Sequence, residues 1–294
     1  MDSSLRKFRP EDADQVVALA RQAFLRPEEQ VGNPVWASRD ELDSEVSDWK
    51  PPATETLLVA EEDGDIVGVG GIEANEEGAA ADLFGPIVAR RAQGRRLGSR
   101  LLGESIALAR RHGASALDAA VGTRNRRGRV LLERTGFSRR GAAQAFYELR
   151  PQDHRPATAS PPELTVRPAG TADQKAVLSL YRECFPDGRF PEGAVHAGLE
   201  GGAVHLAELE GEPVAFLTID RSDRWIYLVG VTTGSRGRGV GAFLLSRSLE
   251  AYWALHPGEA LGLAVRADNT PAVRLYRRQG FRPTLLLQPY ELSL

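Results

Sequence analysis

Cysteine and lysine are scarce in this chain. Its 294 residues hold one cysteine, Cys184, and three lysines, Lys7, Lys50 and Lys175. A lone cysteine excludes an internal disulfide and fits a reducing, cytoplasmic compartment. The lysine shortage stands against many arginines and reads as genome composition rather than function. Five histidines and the one cysteine show no metal-ligand spacing, so no metal site is expected. No run approaches the roughly 18 apolar residues of a membrane helix. The start, Met1 to Lys7, lacks the apolar core of a signal peptide. A net charge of −3 argues against a purely electrostatic nucleic-acid binder. With 42% hydrophobic and 26% charged residues, the composition is that of a soluble globular protein, long enough for two domains.

Repetition is the strongest signal. Arg9 to Gln15 matches Arg167 to Gln174, and Ala60 to Gly68 matches Ala207 to Ala215. Val88 to Gly98 matches Val231 to Gly241, Asn125 to Phe137 matches Asn269 to Phe281, and Tyr147 to Leu149 matches Tyr290 to Leu292. The last three pairs keep an offset of 143 or 144, so the chain reads as a tandem duplication. Between the copies, Pro151 to Pro162 carries four prolines and almost no apolar residues, so it is expected to bury no face. The expected division is 1–150, a linker at 151–162, and 163–294. Each half reads as a short strand, a helix, a variable segment, two hairpin strands, a third strand, a Gly-rich turn, a helix, a strand, a helix and a closing strand pair. That order implies an α/β or α+β layer around a mixed sheet.

In the second half, Arg224 to Val231 reads as a strand and Ala242 to Leu255 as a helix with a buried face. The connection holds Gly237, Gly239 and Gly241. Such a turn lets the backbone approach a ligand closely, and the following helix start offers free N–H groups to phosphate. The spacing Arg236-x-x-Gly239-x-Gly241 fits neither the nucleotide P-loop nor the dinucleotide fingerprint. It resembles the pyrophosphate-binding motif of the GNAT acyltransferases. Downstream, Thr270 reads as an N-cap, Pro271 as the first helical residue and Gly280 as the C′ glycine of a helix. The pattern Asn269-x-x-Ala272-x-x-Leu275-Tyr276-x-x-x-Gly280-Phe281 resembles the second motif of the same family, in the same order.

The resemblance implies a tandem GNAT fold, each half a mixed sheet splayed in the middle with flanking helices, and acetyl-coenzyme A (acetyl-CoA) held in the splay. It implies N-acetyl transfer to the primary amine of a small molecule or peptide, with the second half catalytic. The backbone and arginines of Arg236, Gly237, Arg238, Gly239, Val240 and Gly241 would hold the pyrophosphate. Val229 and Val231 would pair with the pantetheine arm, Asn269 would contact it, and Tyr276 would act as general acid. The general base is not readable; Glu208, Asp220, Asp223, His196 and His205 are candidates, each better read as structural. Cys184 reads as a small buried hydrophobe. The two-domain organisation is similar to that of mycothiol synthases, although no motif identifies their acceptor. A non-catalytic acyl-CoA sensor or scaffold is the alternative reading.

The first half departs from the motif. Arg96 replaces the middle glycine, where a side chain occupies pyrophosphate space unless the backbone shifts, and Leu132 stands where the other half has Tyr276. Leucine donates no proton, so this half is expected to be catalytically dead. Between Arg90 and Arg140 lie 14 arginines and 3 acids, a local balance of 14 − 3 = +11. With Phe137 as the one aromatic in that stretch, a solvated basic surface is favoured over nucleic-acid binding. The segment Leu25–Pro52 is about 12 residues longer than its counterpart, and its Trp36 and Trp49 are expected to cover apolar surface or cap a pocket. The acceptor is expected to be set by this segment and by Phe185–Glu200.

Overall fold

Alternating apolar residues between turn signals make the strands, and each helix supplies one apolar stripe to cover them. The computed structural model describes residues 3–32, 36, 38–74, 80–157, 161–186 and 192–294. Parts of both variable segments, and residues 158–160 of the linker, lie outside these. The chain forms two compact units, residues 1–144 with 286–294, and residues 145–285.

In chain order, the first unit carries β1 (Ser4–Lys7), α1 (Ala13–Phe24), α2 (Arg39–Ser47), α3 (Ala53–Thr56), β2 (Leu57–Glu62), β3 (Asp65–Ala74), β4 (Ala81–Val88), α4 (Leu97–Arg111), β5 (Ala116–Gly122), α5 (Arg126–Arg134) and β6 (Ser138–Arg139). The second carries β7 (Gln144–Leu149), β8 (Leu164–Pro168), α6 (Gln174–Cys184), α7 (Glu192–Glu200), β9 (Val204–Leu209), β10 (Glu212–Asp220), β11 (Trp225–Val231), α8 (Val240–Leu255), β12 (Leu261–Arg266) and α9 (Thr270–Arg278). A last strand, β13 (Arg282–Ser293), is divided between them.

The units therefore cut across the linear halves. Tyr290, 0% exposed, sits in the core of the first unit, and its strand pairs antiparallel with β5 from Leu287↔Gly122 to Ser293↔Ala116. Tyr147 and Leu149 sit in the core of the second. Each copy of the Tyr-Glu-Leu strand thus closes the sheet of the other copy.

Both sheets share one plan. The first runs β1-β2-β3-β4-β5-β13 and the second β8-β9-β10-β11-β12-β7. Each has a parallel junction between its fourth and fifth strands. There β4 and β5 pair at Ala81↔Leu117 and Asp82↔Asp118, and β11 and β12 at Trp225↔Gly262 and Ile226↔Leu263. Beyond those two residues the parallel strands diverge, leaving a V-shaped gap in each sheet. One face of each sheet is covered by α4 or α8, and the other by α1 and α2 or by α6 and α7.

An ion triad is also repeated. Arg6 bonds both Asp12 and Glu61, and Arg167 bonds both Asp173 and Glu208. Each ties the first strand of its unit to the next strand and to the start of the first helix.

The linker does not stand clear of the fold. Arg155 N donates to Gln279 O (3.0 Å) and Ala157 N to Ser246 Oγ (2.8 Å). The His154 ring meets Trp253 edge-on at 5.1 Å, and Asp153 pairs with Arg282 at 2.6 Å. Few apolar residues mean little hydrophobic burial, but backbone donors and ring edges bind without it. Trp36 and Trp49 are likewise core residues, 1% and 6% exposed, and Trp36 stacks on Phe84 at 5.0 Å.

Candidate functional site

In the second unit β11 leads into a 3-10 turn, Thr233–Ser235, and then into α8. Gly237 has φ +74° and Gly239 φ +85°, the left-handed region that favours glycine. Among the described residues nothing lies within 4 Å of where a Gly237 side chain would start, and Pro161 Cγ lies 3.8 Å from that point at Gly239. The turn is open, and the first N–H groups of a 16-residue helix lie free of intrahelical partners behind it. Arg236 turns back, its Nε donating to Val231 O at 3.0 Å.

Backbone direction on β11 follows from its bonds. Thr232 N donates to Val214 O and Leu228 N to Thr218 Oγ1, both on the β10 side. Alternation then points the N–H and C=O of Val229 and Val231 the other way, into the gap. The β11 edge of the V thus carries backbone groups suited to an extended, amide-bearing chain.

Helix α9 packs on the core that joins the diverging strands, with Ile226 from β11 and Leu263 and Val265 from β12. Tyr276 is in this core, 7% exposed, its ring edge-on to Phe281 at 5.6 Å. Burial pushes its phenol up to about 12, so it stays protonated throughout the physiological range. Among the described residues its hydroxyl has no hydrogen-bond partner. Asn269 caps α9, its Oδ1 accepting from Ala272 N at 3.3 Å, and the residue is exposed.

The other candidates are engaged elsewhere. Glu208 is held by Arg167, and Asp220 accepts from Ser222 and from Asp223 N. Asp223 accepts from Tyr227 Oη at 2.5 Å. His196 is exposed beside Glu200. His205 is half-buried; burial and the Arg221 charge hold it below the usual imidazole range, and among the described residues its Nδ1 has no partner. Cys184 is half-buried, its Sγ 3.1 Å from where a Gly230 Cβ would stand. Burial and the neighbouring Glu183 push its thiol up against the pull of Arg236, which disfavours a nucleophilic thiolate.

The first unit keeps the same turn. Arg96 caps α4 with φ +60° and ψ +11°, where Gly239 has φ +85° and ψ −5°. Gln93 Nε2 donates to Val88 O at 3.0 Å, as Arg236 does to Val231. The backbone has not shifted; the arginine accepts the left-handed conformation at about 1–2 kcal/mol. A cleft of about 1080 Å³ opens here, lined by Arg96, Gly94, Arg124 and Arg127 among others. Much of the surrounding basic stretch is neutralised: Arg90 pairs with Glu28 and Glu29, Arg91 with Asp65, Arg95 with Glu62 and Arg140 with Asp118.

The gap of the first unit is different. Val88 and Pro86 face it, since Ala89 N donates to Val67 O on the other side, and Pro86 has no N–H to offer. Residues 30–32 lie along β5 as a short pseudo-strand. Gly32 N donates to Ala120 O (2.6 Å), Gly122 N to Gln30 O (2.9 Å), and Val31 bridges Val121. Thr123 N donates to Leu286 O, so the pseudo-strand takes the edge of β5 opposite β13, the edge that faces the gap. Asn125 caps α5 and spends its Nδ2 on Gln30 O. The Gln30–Gly32 pairing carries no sequence signature.

A family model described as the acetyltransferase (GNAT) family matches residues 18–137 and again 174–281. The chain belongs to this family. An N-alpha-acetyltransferase of Sulfolobus acidocaldarius is 29% identical over 142 residues, covering 42% of this chain and 83% of that protein. A mycothiol acetyltransferase of Clavibacter sepedonicus is 39% identical over 67 residues, 23% of this chain and 22% of that protein. Among solved structures, a GCN5-related N-acetyltransferase from Sphaerobacter thermophilus superposes with a TM-score of 0.82 at 20% identity, over 99% of this chain and 95% of its own. A tandem GNAT protein from the clavulanic acid biosynthesis pathway gives 0.69 at 16% identity, over 99% and 98%. At such identities these likenesses establish the fold. The GNAT chain is an acetyltransferase by family, and the duplicated GNAT architecture expected from its repeats is the one it adopts. No helix among the described residues is long and apolar enough to cross a membrane.

Proposed function

We propose that this chain transfers the acetyl group of acetyl-CoA to a primary amine, and that the second unit is the catalytic one. The observation that carries this is the state of its gap. Val229 directs its N–H and C=O into the V, whereas the first unit has Pro86 there and residues 30–32 on the opposing edge. Among the described residues, no isolated bridge occupies the matching edge of β12 at Ala264–Arg266.

The donor supplies an activated thioester. The turn from Arg236 through Gly237, Arg238 and Gly239 to Val240 and Gly241 holds its pyrophosphate with helix-start N–H groups and flanking arginines. Val229 and Val231 pair with the amide-bearing arm, and a backbone N–H on that edge stabilises the carbonyl oxygen as it gains charge, a contact worth roughly 2.7–4 kcal/mol. Asn269, an exposed residue, adds a contact to the arm while capping α9. The amine nitrogen forms the new C–N bond as the C–S bond breaks. Tyr276 gives its hydroxyl proton to the departing sulfur, and the proton released by the amine, returned through water, restores the phenol.

The linear repeats, 1–150 and 163–294 joined by 151–162, are in this reading two descendants of one acetyltransferase module that have exchanged closing strands. The test is acetyl transfer by Tyr276→Phe. Loss of a general acid should lower kcat by roughly 10²–10⁴-fold with acetyl-CoA affinity nearly unchanged. Parallel losses in kcat and affinity would assign Tyr276 to packing. Absence of turnover by the unmodified protein across a broad amine panel would leave an acyl-CoA-binding sensor or scaffold.

A further inference from the structure

Among the described residues, α6 and α7 cover only part of the width of their face of the second sheet. Those helices pack on Val204, Leu206, Phe216 and Leu228. Trp225 belongs to neither core cluster of this unit, although it stands at the closed end of the V, where β11 and β12 still pair. Its face follows from register: Asp220 lies opposite Trp225, one place beyond the Ile219↔Ile226 pair that faces α8. Trp225 and Asp220 therefore share the α6 side of the sheet.

The indole is laid flat by a missing side chain. A Cβ at Gly262 would stand 2.2 Å from Trp225 Cζ3 and 2.4 Å from Cε3. Only glycine lets the ring cross β12. On the next strand, β7, Phe146 meets it at 6.2 Å and 53°. Trp225 and Phe146 are half-buried, and Tyr227, 41% exposed, stands on the same strand as Trp225 with its hydroxyl on Asp223. The result is an aromatic shelf of Trp225 and Phe146 across three strands, with the Asp220 carboxylate on the same face. The bonds from Ser222 and the N–H of Asp223 hold Asp220 below the usual carboxylate range, so it carries charge.

We infer that this shelf receives the acceptor, and that the acceptor is a primary alkylamine on a flat aromatic body. The inference rests on the acetyl-transfer reading of the second unit. A planar apolar group stacks on the indole, and its ammonium, before deprotonation, is drawn to the aromatic faces and to Asp220. A sugar amine would leave most of its hydroxyls without partners on such a surface.

The test uses the full chain with tryptamine and ethanolamine as acceptors, following release of free CoA thiol. The kcat/KM for tryptamine should exceed that for ethanolamine by at least about tenfold. Trp225→Ala should bring that ratio to within about threefold of one, and Phe146→Ala should lower it partway. A ratio near one in the unmodified protein, or one that survives Trp225→Ala, overturns the shelf while acetyl transfer stands. Tryptamine binding is measured separately by calorimetry without donor. Binding that weakens in Trp225→Ala supports the shelf even where no acetylation is seen, a result that removes the transfer reading alone. No tryptamine binding to the unmodified protein overturns the shelf. Should Trp225→Ala fail to fold, the Phe146→Ala ratio decides.

Discussion

The two Gly-rich turns differ by one glycine in sequence, Arg96 standing where the other has Gly239, and hardly at all in backbone. Arg96 and Gly239 both cap their helices in the left-handed region, and Gln93 and Arg236 both reach back to the carbonyl of the valine that ends the strand. The gaps behind those turns differ much more. One presents Val229 and the other Pro86; one is followed by Tyr276 and the other by Leu132; one has residues 30–32 along its far edge. A turn conserved in conformation is weak evidence for a working site. The strand edges and the helix that follow it separate the two units.

The largest expected contrast lies at the ends of α5 and α9. Gly136 and Gly280 follow these helices with φ +99° and +101°. Around Gly136 a new Cβ would meet Leu292 Cδ1 at 3.4 Å, an ordinary contact. At Gly280 it would fall 2.1 Å from Asp153 O, because the linker is docked there. Alanine at 136 should cost about 1–2 kcal/mol for its left-handed backbone, and alanine at 280 roughly 2–4 kcal/mol as the linker is forced away. Urea denaturation of both variants measures this. Equal costs would mean that the linker moves aside freely.

The repeated ion triads give a smaller contrast. Burial pushes the Asp12 carboxyl up, but the Arg6 guanidinium and the Arg9 N–H outweigh it and hold it below its ordinary value. Arg167 and the Gly170 N–H hold Asp173 down to about 2. A depressed carboxylate stabilises the fold fully above its unfolded value near pH 4 and loses that contribution as the pH falls through its folded value. Both triads therefore weaken on acidification, Asp173 over about pH 4 to 2. Asp12 is 4% exposed and its arginine more covered than Arg167. Asp12→Asn should cost about 2–3 kcal/mol at neutral pH and Asp173→Asn about 1 kcal/mol or less. Thermal melts at pH 7 and pH 3 check both, since each variant should lose acid sensitivity relative to the parent.

Much of this was legible in the sequence. The repeats fixed two similar sheets, the glycines located the turns, and Thr270-Pro271 with Gly280 bounded α9. The sequence put the cap of α9 at Thr270, but Asn269 holds that place one residue earlier, as Asn125 does for α5. The exchange of closing strands was not legible, because Tyr147-Glu-Leu and Tyr290-Glu-Leu carry the same pattern and either fits either sheet edge. Nor was the linker's docking, since its bonds run through backbone N–H groups that every non-proline residue owns. The pairing of residues 30–32 with β5 was hidden for the same reason. The aromatic shelf was hidden in a glycine: Gly262 reads as an ordinary strand residue until the indole lies across it.

The turn itself offers the finest contrast. Exchanging its odd residue between the units, as Gly239→Arg and Arg96→Gly, asks whether the side chain or the gap decides function. Arg96→Gly should stabilise the first unit by up to about 1 kcal/mol by removing left-handed strain. Gly239→Arg should destabilise the second by a similar amount, since a Cβ there meets Pro161 Cγ at an acceptable 3.8 Å. Calorimetric titration of acetyl-CoA into both variants reads the rest. If the backbone donors dominate, Gly239→Arg should weaken binding by no more than about tenfold, and Arg96→Gly alone should not bring the first unit to turnover, because Pro86 and Leu132 remain. Complete loss of binding in Gly239→Arg would mean that the arginine fills the phosphate position after all. The first unit's cleft would then be closed to such a donor by Arg96 alone, whatever its backbone offers.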